Sequence, residues 1–482
     1  MSSKEADRDL LFTPAYKLVE MMKTKKLSCV ELMEANIRRI KEINPKINAY
    51  ITVDEEAALN QAKKATEDIY KNKNLGILHG LPISIKDTTE TKGIRTTSGS
   101  LVLKDYVPEN DAIVVERLKK AGAIVVGKTN VPEFANAFSA ENNLVEPARN
   151  PWDLTRSCSG STSGGAASVA AGICPMAQGT DGGGSVRAPA SFCGVFGIKP
   201  TNIINRVPFD PDPQTGRVMG FVSHGPITRN VRDSALFLNA VSGPHPSVYN
   251  SIKTTPPDFE KLLDGKRKKL RIAWSPTLGY MDDYGMDPEY LSIVEKTIVT
   301  FEDMGYIVEE ATPPIGNPIE AWEIIVASLV HSGLGPIYDE FYDKIMIYNK
   351  QIVEFARKLS PFDVADAFQD MLKYQIIMGD FFQKYDVLIS PSSNSSPQPI
   401  GAMFKQPYPP YYKFFHWEFS PATPLFNLTG NPAASCPCGF TSDGLPVGLH
   451  IAGKLGDEAT VLQLSAALEE AQPWSNKRPS VS

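Results

Sequence analysis

Apolar and polar positions along the chain alternate between two periods. In Cys29–Ile43 the apolar residues Val30, Leu32, Met33, Ile37, Ile40 and Ile43 recur at three- and four-residue steps, which predicts an amphipathic helix. Ser28 with Glu31 three residues on forms a capping box at its start, and Asn44-Pro45 predicts its end. Glu55–Lys71 reads as a second helix, so residues 8 to 70 are expected to be helical. The pattern then changes. In Gly80–Asp87 the period is two, with Ile83 and Ile85 on one side and Ser84 and Lys86 on the other. A lysine turned inward from a short strand is unusual. Further on, Asp111–Ala121 reads as helix, Ala123–Val126 as buried strand, Gly165–Ala171 and residues 232–242 as helices. Leu270–Ser275 and Tyr306–Ala311 read as strands around a Pro288–Met304 helix. Residues 318–386 are mostly helical, Tyr385–Pro391 is a buried strand, and a hairpin at Gly439–Pro446 joins strands near Ser435–Cys438 and Gly448–Ala452. A helix from Asp457 to Ala471 closes the chain. This rhythm is α/β, with a sheet that need not be purely parallel.

Composition narrows the function. The chain has 482 residues and a net charge of −6, so a nucleic-acid-binding surface is not expected. Length alone predicts about three domains; residues 245–268 are the best boundary, although the style of the pattern does not change there. The N-terminus shows no secretory signal, and no apolar run approaches the roughly 20 residues that span a bilayer. Six cysteines without a C-x-x-C pair read as free thiols in a reducing cytoplasm. Six scattered histidines disfavour a metal site. No cofactor is expected.

The string Gly122–Thr129 fits G-x-x-x-x-G-K-[ST] letter for letter. Phosphate binding needs strand, loop, then helix. Here Ala-Ile-Val-Val is itself strand, and Pro132 would fall in the first turns of the helix. The nucleotide reading is therefore rejected.

The strongest signal is an absence. From Ser157 to Ile198, 42 residues, the only charged side chains are Asp181 and Arg187. The rest is rich in Gly, Ser and Ala and must be buried. Within it lie the serines 157, 159, 161 and 163, and the run Asp181-Gly182-Gly183-Gly184-Ser185-Val186-Arg187. A serine after three glycines sits where backbone amides can approach a ligand and bind a developing oxyanion. A serine nucleophile needs a base. No histidine is local, but a lysine serves once burial has lowered its pKa from about 10.4. Lys86 is the candidate, and alternation turns Asp87 away from it. Asp181 and Arg187 read as structural charges that tie the loop down.

These residues carry a resemblance. Gly160–Gly165, Gly179–Arg187, Pro189–Gly194 and Gly197–Thr201, with Gly80-Leu81-Pro82, Lys86-Asp87, Gly127–Asn130 and Gly444–Gly448, resemble the amidase signature family in its order. The resemblance runs from about residue 10 to 474. It implies a single α/β/α domain around a large mixed, twisted sheet. On this reading residues 1–70 are a helical segment packed on a catalytic domain of residues 71–482, and the three-domain expectation falls. The resemblance also implies a Ser-cisSer-Lys triad: Ser185 as nucleophile, Ser161 as bridging cis-serine and Lys86 as base. The two serines lie 24 residues apart, and aligning Val169–Gly172 without a gap selects Ser161 rather than Ser163. Oxyanion donors fall on the amides of Gly182, Gly183, Gly184 and Ser185. Asn130, Phe134 and Phe138 are candidates for substrate binding, although buried packing explains the phenylalanines equally well. The aromatic run 408–419 reads either as a lid over an apolar group or as ordinary packing.

The implied function is hydrolysis of small apolar or aryl amides, with esters and carbamates open to the same acyl-enzyme chemistry. The partner is then a small molecule, with no nucleic acid and no membrane, and the protein a monomer or homodimer. Two alternatives stand beside it. One is the glutaminase subunit of a tRNA-dependent amidotransferase, which usually reads Asp-Thr-Gly-Gly-Ser where this chain has Asp181-Gly182-Gly183-Gly184-Ser185. The other is an inactive binding scaffold, which the intact Lys86, Ser161 and Ser185 argue against.

Overall fold

The computed structural model describes residues 3–481 apart from 72, 74, 204, 211–219, 249, 252, 266 and 403–416. In chain order the strands are β1 Tyr50–Val53, β2 Pro82–Lys86, β3 Ile124–Thr129, β4 Arg149–Asn150, β5 Asp153–Ser157, β6 Met176–Asp181, β7 Phe196–Lys199, β8 Ser223–Thr228, β9 Arg271–Trp274, β10 Ile307–Glu310, β11 Val387–Pro391, β12 Ala433–Phe440 and β13 Pro446–Gly453. Eleven of them form one mixed sheet in the order β1-β3-β2-β6-β8-β7-β12-β13-β11-β9-β10, and β4 pairs with β5 separately. The expected mixed α/β sheet is thus found. The chain crosses residues 245–268 without leaving the sheet, because β9 to β13 extend the same ladder.

Period-two alternation builds a core on each face. Ile272, Trp274, Val387, Ile389 and Ile451 join one apolar cluster, while their neighbours Ala273, Leu388 and Ala452 join another. The first cluster takes in the N-terminal helices and Ile83 and Ile85. The second takes in the helices Ile319–Tyr338, Ile347–Ala356 and Pro361–Lys384.

Two local expectations fail. The helix that begins at Cys29 does not stop at Asn44-Pro45 but runs to Ile47 with Pro45 inside it. A proline so near the end forfeits only one backbone bond. Burial of Ile43 and Ile47 holds the last turn in place, and Asn48 then closes the helix at φ 50° with its N–H on the Asn44 carbonyl. The capping box at Ser28 and Glu31 is present as expected. The first 70 residues are also not all helix, because β1 pairs antiparallel with β3 at the sheet's edge. A four-residue strand between two strong helical patterns leaves little periodic signal.

The P-loop string is strand through its glycine, lysine and threonine. Lys128 is fully buried there, so the string cannot cradle phosphate.

Strands β3, β2 and β6 are mutually parallel neighbours, so their carboxyl ends emerge along one edge of the sheet. Ligands of open α/β sheets bind outside such ends. Lys86 is the last residue of β2, and the run 181–185 leaves the end of β6.

Candidate active site

The uncharged stretch is buried as its composition requires. Of residues 157–198, only Gly182, Ser185 and Gly194 are even half-exposed. Two of these three belong to the glycine-serine turn.

Lys86 lies fully buried beneath that turn. Its Nζ donates to Ser161 Oγ at 2.7 Å, to Thr180 Oγ1 at 2.7 Å and to the Thr180 carbonyl at 3.3 Å. Burial lowers its pKa to about 7, against the opposing pull of Asp181. The peptide bond between Gly160 and Ser161 is cis. Ser163, the other serine considered, is engaged elsewhere: its Oγ donates to the Ser159 carbonyl at 2.6 Å. Ser161 is joined to the nucleophile candidate through the backbone, where the Thr162 amide donates to the Ser185 carbonyl at 3.1 Å. Lys86, Ser161 and the Ser185 turn are therefore gathered at one place.

Asp181 organises the turn. Arg187 pairs with it through Nη2 at 2.8 Å and Nε at 3.0 Å, both partners being fully buried. Burial alone would raise the Asp181 carboxyl, but Arg187 outweighs it and holds the group well below the usual carboxylate range. The same carboxylate accepts from the amides of Gly184 at 2.9 Å and Val186 at 3.1 Å. This ties the loop down as expected, and it corrects one assignment: the Gly184 N–H is already bonded and does not point at a substrate. Gly184 itself needs its φ of +125°, and a side chain there would strike Thr423.

The remaining peptide planes are set by partners remote in sequence. Asn427 Nδ2 holds the Asp181 carbonyl at 3.0 Å, Trp322 Nε1 the Gly182 carbonyl at 2.9 Å and Thr423 Oγ1 the Gly183 carbonyl at 2.6 Å. In a trans peptide the following N–H points opposite to the carbonyl. The first two bonds therefore turn the Gly182 and Gly183 amides away from Asn427 and Trp322. Among the described residues neither these two amides nor that of Ser185 makes a hydrogen bond.

The other predicted residues divide. Asn130 is not available to a substrate. It is fully buried, its Nδ2 donates to the carbonyls of Asn48 at 2.9 Å and Glu146 at 3.0 Å, and its Oδ1 accepts from Asn142 at 2.8 Å. Its amide is thus spent on bracing the segment after β3. Phe134 is half-buried at φ 53° and packs against the second apolar cluster. Phe138 lies in that cluster and lines a cavity beside the Ser157–Ser161 segment. Of the aromatic run, residues 408–416 lie outside the described residues. Trp417 and Phe419 are buried, and Trp417 meets Phe138 edge-on at 5.3 Å and Trp322 at 4.9 Å.

His224, opposite Thr180 on β8, is buried with its ring stacked 4.5 Å from Phe209. Burial, with Lys86 as a further cause, lowers it to about 3, so it is a neutral neighbour of the lysine.

The family model described as Amidase matches residues 31–462. The chain belongs to the amidase signature family. It is an amide C–N hydrolase by that membership. An acylamidase of Rhodococcus erythropolis is 36% identical, with 98% of each chain covered. A glutamyl-tRNA(Gln) amidotransferase component from Moorella thermoacetica is 35% identical over 98% of this chain and 99% of its own. Among solved structures, a 6-aminohexanoate cyclic dimer hydrolase superposes with a TM-score of 0.89 at 28% identity, covering 98% of this chain and 99% of the hydrolase. A bacterial aryl acylamidase superposes with 0.89 at 27% identity, covering 96% and 97%. Among the described residues of this amidase, no group of three or more His, Cys, Asp or Glu could hold a metal, and no helix is long and apolar enough to cross a membrane.

Sequence reasoning missed Thr180, Trp322, Thr423 and Asn427. Thr180 was within reach, because it stands one residue before Asp181 in the quoted motif. The other three are about 140 to 250 residues from their targets and carry no local signal.

Proposed function

We propose that this amidase is a stand-alone hydrolase of small apolar or aryl amides, acting through Ser185, Ser161 and Lys86 and an acyl-enzyme. The observation that carries this reading is the 2.7 Å contact between Lys86 Nζ and Ser161 Oγ in a fully buried pocket, below a Ser185 that stays half-exposed. With the amine neutral, Ser161 donates its proton to Lys86 Nζ and takes one from Ser185 Oγ. Ser185 attacks the carbonyl carbon. The amides of Gly182, Gly183 and Ser185 hold the negative oxygen that forms. The relay then returns a proton to the departing amine as the C–N bond breaks, and water releases the acid by the same steps in reverse. Esters and carbamates present the same carbonyl to the same groups.

The wall supports apolar substrates, because Trp322 lies against Gly183 and is backed by Trp417 and then Phe138. A Ser185→Ala variant should lose covalent labelling by a fluorophosphonate, and undiminished labelling would sink the assignment. A panel of p-nitroanilide, p-nitrophenyl ester and carbamate substrates, with glutamine as control, tests the substrate class.

The second reading, a glutaminase component of an amidotransferase, is supported by relatives such as the Moorella protein. Against it stands Gly182, where that subfamily usually has threonine. Release of ammonia from glutamine, with no turnover of the panel, would favour it.

A further inference from the structure

The helix Pro361–Lys384 carries two stripes with different surroundings. One packs inward, with Ala367, Tyr374, Met378 and Phe382 buried. The other faces solvent. Phe362, Ala365, Gln369, Leu372, Ile376 and Gly379 follow one another at alternating steps of three and four residues, and all six are exposed. Phe362 is 80% exposed, Ile376 67% and Leu372 46%. These steps are the heptad spacing by which one helix packs along another. Asp366, Lys373 and Asp380 repeat along one flank of this seam, and all three are exposed. Gly379 adds a second oddity. Glycine disfavours helix, yet a side chain at 379 would meet nothing within 4 Å and its φ is not in the left-handed region. The chain's own packing therefore does not call for a glycine there.

We propose that this seam is an interface between two copies of the chain, in which the helix Pro361–Lys384 pairs antiparallel with itself about a two-fold axis. Such an interface must be self-complementary, and here both volume and charge are. With Leu372 set across from the partner's Gln369, Phe362 falls across from the partner's Gly379 and Ile376 across from the partner's Ala365. All six seam positions are then used, and each of the two bulkiest exposed side chains meets a small one. Flank faces flank in an antiparallel pair, so Asp366 lies by the partner's Lys373 and Lys373 by the partner's Asp366. Sliding the pair by one heptad sets Asp366 against its own copy in one direction and Lys373 against its own copy in the other. Like charges thus reject both neighbouring registers. A parallel pair would bring the charged flank against the opposite flank, which holds Phe368 and Gln375 and no charge. A membrane suits the seam less well, because the helix has four aspartates and two lysines and anionic headgroups would repel it.

Sedimentation velocity on the full chain tests the pairing. Wild type should form a dimer that dissociates at roughly micromolar concentration, as befits a small interface. Ile376→Glu should weaken it at least tenfold. Asp366→Lys alone and Lys373→Asp alone should each do the same, since each sets like charges across the two-fold axis. Mixed in equal amounts, these two single variants should recover a dimer, because both flank contacts in the mixed pair again join opposite charges. Recovery on mixing is peculiar to the antiparallel register, and the two charge variants decide the matter even if Ile376→Glu does not fold. A wild-type chain that stays monomeric up to about 0.1 mM overturns the interface. So does a dimer that none of the three substitutions weakens, or a mixture that fails to associate. Flotation of a monomeric wild type with phosphatidylcholine vesicles, lost in Ile376→Glu, also overturns it, in favour of a lipid surface.

Discussion

Two lysines lie fully buried on adjacent parallel strands, Lys86 at the end of β2 and Lys128 near the end of β3. The β2–β3 register pairs Ile85 with Lys128 and Lys86 with Thr129, so the lysines face opposite sides of the sheet. Burial lowers both, Lys86 to about 7 and Lys128 to about 8. Desolvation therefore does not tell the proposed base from the strut. Their partners do. Lys128 donates to the Thr89 carbonyl and, at 2.9 Å each, to Thr91 Oγ1 and Thr96 Oγ1. Those hydroxyls spend their own protons on the carbonyls of Thr89 and Ile94, both at 3.0 Å. Lys128 thus meets only acceptors, with Asp87, Glu90 and Asp111 favouring its charge. Lys86 meets Ser161, whose hydroxyl proton is bound to no carbonyl among the described residues and which adjoins the half-exposed turn. A buried lysine becomes a base when its neighbour has a proton to give.

The sharpest way to break this contrast is to delete each amine in turn. Lys86→Met should lower kcat/KM by about 10⁴-fold, in line with removal of a member of a nucleophile–base unit. Lys128→Met should keep kcat/KM within roughly fivefold if folded, because nothing it touches reaches the turn. Equal losses in both variants would erase the distinction. The order reverses for stability. Lys128→Met leaves Asp87 buried without its cation and should cost about 3 kcal/mol in urea unfolding.

Trp322→Phe keeps the ring but removes the donor on the Gly182 carbonyl. It should reduce kcat about tenfold, beyond any change in KM from the smaller ring, since the amide it orients acts only as the oxyanion forms. The pH profile sharpens the role of Lys86. Activity should rise with pH and level off above about 7, as the amine loses its proton. Thr180→Val removes an acceptor that favours the charged amine, so the rising limb should move to lower pH, by up to about one unit. A limb that stays put would mean that another group titrates.

A last effect concerns stability and pH. A lysine whose pKa is lowered on folding binds fewer protons folded than unfolded, so it makes stability rise with pH between its folded value, about 8 for Lys128, and the unfolded value near 10.4. Over that window wild type should gain on Lys128→Met by no more than about 3 kcal/mol.

Much of the site was legible because it is local. The charge-free stretch, the glycine-serine run and the alternation that turned Lys86 inward all lie within spans that sequence patterns can carry. What sequence did not reveal is long-range. Asn130 sits in a motif beside the site, yet its amide braces three carbonyl and amide groups from other segments. Gly184 shares a motif with its neighbours, but the Asp181 carboxylate three residues earlier claims its N–H. Proximity in sequence could not separate the amides that face outward from the one that faces inward. Likewise β1 was hidden because four residues between helices give no period, and its pairing with β3 is what makes it a strand.

The indole of Trp322 does two jobs at once: its N–H fixes the Gly182–Gly183 peptide plane of the proposed oxyanion site, and its ring packs against Trp417. Anyone reshaping this enzyme for bulkier substrates would meet that coupling as epistasis. Changes at Phe138 or Phe419 should trade one fit for another, whereas changes at Trp322 alter fit and turnover together. Libraries that hold position 322 constant should therefore return a larger share of active clones, and gains made by varying it should depend on which residue stands at Thr423.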